Sequence, residues 1–165
     1  MQAKRIDTDK ITIREFRLVK GQIDSPFDFR ISNIKSFNYT VDFKTSFNFE
    51  ENLIKADFTI DIASVSNEPT TEATCGYHFV FLFHVSDLKE NAELQENNTV
   101  DWNPFLATAI ASITYSTSRG ILMSRFQGTV MKDFILPVVD PNTLWDRQRQ
   151  QDPSASSPTG SETKN

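Results

Sequence analysis

Cys75, His78 and His84 are the residues of this chain whose types could bind a metal or activate a nucleophile, and they crowd into one short run. Zinc requires such ligands to converge on a point at about 2.0–2.3 Å. In an extended strand Cys75 points to the opposite face from both histidines, and His78 and His84 stand roughly 20 Å apart at about 3.3 Å per residue. They cannot share one ion. The paired carboxylates, Glu50 with Glu51 and Asp57 with Asp61, fall in a turn and on a wet strand face, where solvated charge is expected rather than acid/base chemistry. There is no glycine-rich phosphate loop, no nucleophile elbow and no zinc-protease helix motif. The reading is of a protein that is not an enzyme and has no cofactor and no metal site.

The elements that carry these residues can be read from periodicity. Phe37, Tyr39, Val41, Phe43, Phe47 and Phe49 share one parity, while Asn38, Thr40, Asp42, Lys44 and Asn48 share the other, which describes a long half-buried strand. A turn at Glu50, Glu51 and Asn52 leads to Ile54, Ala56, Phe58, Ile60 and Ile62, opposed by Lys55, Asp57, Thr59 and Asp61, so the two runs form an antiparallel hairpin. Ile11 to Ile23 is a weaker, charge-rich strand, of the kind that protects a sheet edge. Gly76 to Val85 is a fourth strand, with Tyr77, Phe79, Phe81, Phe83 and Val85 on one face. Val80 and Leu82 make its other face apolar for a surface, and either this chain or a partner is expected to cover it.

Residues Ser86 to Val100 read as a polar connection with helical tendency around Leu88 to Leu94. Asn103 is a good N-cap, Pro104 suits the first helical position, and Gly120 reads as a stop, which predicts a helix over about Pro104 to Arg119. Its stripe of Leu106, Ile110, Ile113 and Thr117 is narrow and its remaining sides are small, so it can pack against its own sheet and also against a second helix. An apolar extended segment, Phe134 to Pro141, leads to a short helix at about Asn142 to Gln150 anchored by Leu144 and Trp145. One domain over 1–150 is expected, followed by a disordered polar tail over 151–165.

With Lys+Arg 17 against Asp+Glu 22, the net charge of -5 has the wrong sign for binding nucleic acid. The run Met1 to Lys10 has no apolar core of a signal peptide, and nowhere do 18 apolar residues run together. A single cysteine fits a reducing compartment. The expected protein is cytoplasmic and not inserted in a membrane.

The order of these elements and several local motifs resemble the SecB-type protein-export chaperones. The sharpest part is Asn103-Pro104-Phe105, a helix, Ser118-Arg119-Gly120, then Leu136-Pro137-Val138-Val139-Asp140 and Leu144-Trp145; the strand run Leu53 to Ser64 followed by Thr74-Cys75-Gly76 is similar in pattern and position. The resemblance implies an α+β fold with a four-stranded antiparallel sheet, a long helix packed on one face and a short C-terminal helix. It implies dimers whose sheets join, and a dimer of dimers, a homotetramer, with the long helices between the outer sheets; Leu106, Ile110 and Ile113 would form that oligomer interface.

It also implies an ATP-independent holdase that keeps unfolded or partly folded polypeptides on apolar grooves. The client-binding residues carried over are Trp102, Phe105, Leu136, Val138, Leu144 and Trp145, with Phe79 and Phe81 beneath; core packing is the alternative for each. Export members dock the translocase ATPase through acidic residues on the outer sheet face. The matching places here are Gly21-Gln22 and Gly76, and the tail over 151–165 is near neutral, so those charges are absent. This favours the SecB-like chaperones of toxin-antitoxin-chaperone systems, which protect one antitoxin, over delivery of preproteins to the translocase. A structural interaction protein that holds no unfolded client would look the same in sequence.

Overall fold

A computed structural model describes residues 5–145; the expected tail over 151–165 and the end of the last expected helix, 146–150, lie outside them. Strands β1 (Ile11–Asp24), β2 (Ile34–Asn48), β3 (Leu53–Ser66) and β4 (Thr74–Val85) form one antiparallel sheet in the order β1-β4-β3-β2. The hairpin read from parity is present: Val41 faces Ile60, Phe43 faces Phe58 and Phe47 faces Ile54 across β2 and β3. Asn52, at φ 56°, closes its turn in the left-handed conformation that asparagine tolerates better than most side chains.

At the far end of β3, Glu72 acts as a clasp. Its carboxylate accepts from the Ser66 backbone N–H (2.8 Å), from Ser66 Oγ (2.9 Å) and from Ser64 Oγ. These donors favour the ionised form and hold the Glu72 carboxyl below its usual range.

The apolar face of the sheet is covered by helix α2 (Pro104–Arg125), which lies over β3. The start follows the sequence signals: Asn103 Oδ1 accepts from the Phe105 N–H at 3.0 Å and Pro104 occupies the first turn. The end does not. α2 runs through Gly120 to Arg125 because Leu122 and Phe126, beyond it, are buried, and Phe126 meets Tyr77 ring edge to face at 5.8 Å. That burial outweighs the cost of roughly 1 kcal/mol for one glycine in a helix. The chain breaks out of the helical path at Gly128, whose φ of 75° is left-handed.

A Cβ built at Gly120 would meet nothing within 4 Å. Gly120→Ala is therefore expected to stabilise the chain by about 0.5–1 kcal/mol, read as a rise of a few degrees in Tm. A fall in Tm would mean that position 120 does not hold helical backbone.

The long connection after β4 holds a helical turn within the stretch where helical tendency was read, and a hairpin that its sequence did not announce. A short helix, α1 (Leu88–Asn91), is followed by a small hairpin of β5 (Ala92–Leu94) and β6 (Val100–Trp102). Asn103 ties this unit to the start of α2: its N–H donates to the Asn91 carbonyl at 2.7 Å and its Nδ2 to Asn91 Oδ1 at 3.0 Å. After α2, the segment 134–140 has no regular structure, and residues 142–145 begin the last helix.

β1 is the edge strand that its charge promised, but its face is more apolar than alternation shows. Register shifts fall between Ile13 and Glu15 and between Leu18 and Lys20. These bulges reset the parity, so that Ile13, Phe16, Leu18, Gly21 and Ile23 pair with Phe83, Phe81, Phe79, Tyr77 and Cys75 and share their face. The Tyr77 ring fills the space over Gly21, where a Cβ would lie 3.0 Å from it.

Candidate functional site

Six of the eight residues expected to touch a client are buried. Trp102, at the end of β6, packs edge to face against Phe47 (ring centroids 5.0 Å) and Trp145 (4.9 Å), and Trp145 in turn meets Phe43 at 4.9 Å. Leu136 and Leu144 are buried in the same core. β2, β6 and the last helix are thus joined by one aromatic cluster, in which edge-to-face pairs add about 0.5–1.5 kcal/mol each beyond their buried area. The indole N–H groups of both tryptophans are buried without an acceptor among the described residues.

Phe79 and Phe81 sit elsewhere, at the centre of β4. Their ring neighbours are Phe16, Phe58, Tyr77 and Phe83, and the tryptophans are not among them.

The two remaining residues are exposed, at separate points along an apolar rim that follows α2. Phe105 is 50% exposed on the first turn of α2, next to Trp102, and Val138 is 83% exposed on the extended segment. The segment is held to the helix by Tyr115, whose hydroxyl donates to the Pro137 carbonyl at 2.7 Å. Phe134 anchors its other end against Phe37 and Tyr39, each at 5.6 Å. Ile135 and Leu94, which were not read from the sequence as site residues, are also exposed and apolar. The alternation of Phe134, Ile135 and Leu136 was the signal for Ile135: with Phe134 and Leu136 inward, it must point out.

Of the residues read as an oligomer interface, Leu106 and Ile110 are fully buried on the side of α2 that faces the sheet, while Ile113 is half-buried. A further uncovered apolar surface lies on β1. Ile13, Phe16 and Leu18 extend the phenylalanine face of β4 and remain 47%, 40% and 36% exposed, beside a strand edge with no neighbour among the described residues. Phe27, in the loop after β1, is fully exposed.

The opposite face of the sheet is polar. Lys20, Gln22, Asp24, Asp61 and Gly76 line a trough of about 480 Å³, in which both charge signs are present. Gln22 and Gly76, two of the places that would carry acidic groups in an export member, are cross-strand partners here, whereas Gly21 faces the other side under Tyr77. Val80 and Leu82 are half-buried on this outer face, flanked by His78, which hydrogen-bonds Asp57 Oδ1 at 2.8 Å.

Cys75 is not poised as a nucleophile. Burial first, and then the Asp61 charge, push the Cys75 thiol up to about 12, so the thiolate is not available near neutral pH. Among the described residues no three His, Cys, Asp or Glu side chains converge in a way that could hold a metal ion, and no helix is long and apolar enough to cross a membrane.

Comparison with solved structures supplies the frame for this geometry. The chain superposes on a SecB-like chaperone of Mycobacterium tuberculosis, solved in complex with a ChAD peptide from the HigA1 antitoxin, with a TM-score of 0.52 at 14% identity, over 80% of this chain and 92% of that one. The chain has a SecB-like fold. Its architecture is the expected one: α+β, four antiparallel strands, a long helix across one face and a short helix at the end. A structure of a protein of unknown function from Streptococcus agalactiae matches at a TM-score of only 0.32, with 10% identity over 78% of this chain and 97% of that one. No protein-family model matches the chain, and no curated protein matches it in sequence. The likeness is therefore one of backbone topology.

Proposed function

We propose that this chain is an ATP-independent holdase chaperone that retains unfolded or partly folded polypeptides on an apolar surface, specialised to protect an antitoxin in a toxin-antitoxin-chaperone system. The observation that carries the reading is a row of exposed apolar side chains, Phe105, Val138 and Ile135, spaced along α2 and the extended segment beside it, on a fold shared with a chaperone solved with an antitoxin peptide. Rim side chains of this kind gain roughly 25 cal/mol per Å² when a client covers them, with no requirement for a particular client sequence. The mixed charge of the outer trough favours the specialised role over docking of the translocase ATPase, since that trough lacks a single-sign acidic patch.

The working form of the protein is a homo-oligomer. A second copy covers Ile13, Phe16 and Leu18 and continues the sheet at β1. Assembly of such dimers through α2 uses Ile113 and the small side chains around it, because Leu106 and Ile110 already contact the chain's own sheet. The protein acts in the cytoplasm without a cofactor, and residues 1–150 form its chaperone domain, with a polar tail over 151–165.

The test combines light scattering of the purified protein with aggregation of an unrelated chemically unfolded protein. The expected result is a mass of two or four chains, suppression of aggregation at near-stoichiometric amounts without ATP, and loss of both with Phe16→Asp. Protection of a co-expressed antitoxin from proteolysis then separates the specialised role from general export. A monomer that leaves aggregation unchanged would overturn the proposal.

A further inference from the structure

Arg119 is a half-buried cation with no ion-pair or hydrogen-bond partner among the described residues. Its charge cannot be removed by deprotonation, and a partly enclosed guanidinium gains from an acceptor brought within its reach. Its surroundings are a recess of about 100 Å³ between α2 and the extended segment. Ser112, Ser116 and Arg119 lie on one stripe of the helix, at i, i+4 and i+7, and Val138, Val139 and Pro141 form the opposite wall.

The lining of the recess carries one cation and no carboxylate. Tyr115, which also lines it, directs its hydroxyl at the Pro137 carbonyl and so fixes the wall. Asp140, the carboxylate adjoining the recess in sequence, has Oδ1 engaged by the Asn142 N–H and Nδ2, each at 2.9 Å. The space holds a carboxylate with a water or two, and a planar guanidinium flanked by two hydroxyls matches that group in shape and in donors. Val138, the most exposed residue of the client rim, forms part of the wall.

We infer that this recess binds a carboxylate of the retained polypeptide, through Arg119 with Ser112 and Ser116, so that a favoured client carries an Asp or Glu beside its apolar anchors. The inference rests on the chaperone reading and deepens it, because it adds a charge preference to a rim that is otherwise indifferent to sequence. The sign of the effect is diagnostic. The protein as a whole is negative, at -5, so its general field disfavours an acidic peptide, and only a local site reverses that order.

The experiment uses the full chain and two fluorescent, end-blocked peptides with the same Trp and Leu anchors, one bearing a Glu and the other a Gln in its place. The Glu peptide is expected to bind roughly tenfold more tightly, as for one charge-assisted hydrogen-bonded contact, and the preference should vanish in Arg119→Gln while Arg119→Lys keeps part of it. Circular dichroism of each variant confirms that it is folded. Equal binding of the two peptides by the wild type would overturn the carboxylate site and leave the chaperone reading standing. Failure of both peptides to bind would overturn both. If Arg119→Gln instead changes the mass of the assembly and leaves the peptide preference intact, the recess serves contact between copies and the inference is wrong.

Discussion

Trp145→Ala is expected to destabilise the chain by about 3–5 kcal/mol, the range for removing a large aromatic side chain from a packed core. Trp145 bridges Phe43 of β2 and Trp102 of β6, both at 4.9 Å, so its loss leaves a cavity lined on two sides by rings held on different elements. A domain whose total stability is of order 5–15 kcal/mol would then be partly unfolded at 37 °C. Trp145→Phe should cost much less, because it keeps most of the ring and removes an indole N–H that has no acceptor among the described residues. Urea titrations of the two variants make the comparison directly; equal and small effects would show that the cluster is not packed as described. The same argument changes how binding data on Trp102, Leu136, Leu144 or Trp145 should be read. A variant at any of these buried positions that stops holding clients has lost its fold before its contacts.

The double variant Phe105→Asp, Val138→Asp should behave in the opposite way. Both side chains are exposed, so the fold should change by less than about 1 kcal/mol. Position 105 lies in the first turn of α2, where a carboxylate is favoured by the helix dipole. Affinity for an unfolded client is expected to fall by roughly thirty- to a thousandfold, since two apolar contacts worth about 1–2 kcal/mol each are replaced by charges that resist desolvation. Anisotropy of a labelled, permanently unfolded protein reads the affinity, and the melting temperature reads the fold. Unchanged affinity with an intact fold would place the client elsewhere, and the apolar flank of β1 would become the surface to test. A large loss of stability would instead mean that the rim is part of the core.

Much of the architecture was legible because it depends on local pattern. The β2–β3 hairpin followed from parity, since residues two apart must share a face, and the start of α2 followed from Asn103 and Pro104, whose roles are settled within one turn. Two other readings were overturned or incomplete for equally physical reasons. Gly120 resembles a helix stop, yet Leu122 and Phe126 gain more from burial than one glycine costs, so the helix continues to Arg125. β1 is the charge-rich edge strand expected, but its apolar face was hidden, because each of its two bulges moves the apolar residues to the other parity. The β5–β6 hairpin has no periodic signal at all, with three residues in each strand; it is held by the burial of Trp102 and the Asn91–Asn103 hydrogen bonds.

The candidate site was legible as a set of residue types and was not legible as a surface. Local periodicity and end signals suffice to tell which side chains lie together on a strand or a helix, and from this the sequence alone determined the strands, the long helix and the aromatic, apolar character of the segments that follow it. Whether a face is then covered depends on what folds back over it from distant parts of the chain. The tertiary structure decided that the tryptophans belong to the interior, that Phe105 and Val138 stand at the rim, that α2 leaves the β1 flank open, and that Arg119 faces a recess without a partner among the described residues, because burial is a property of the neighbours that a side chain acquires and not of the side chain itself.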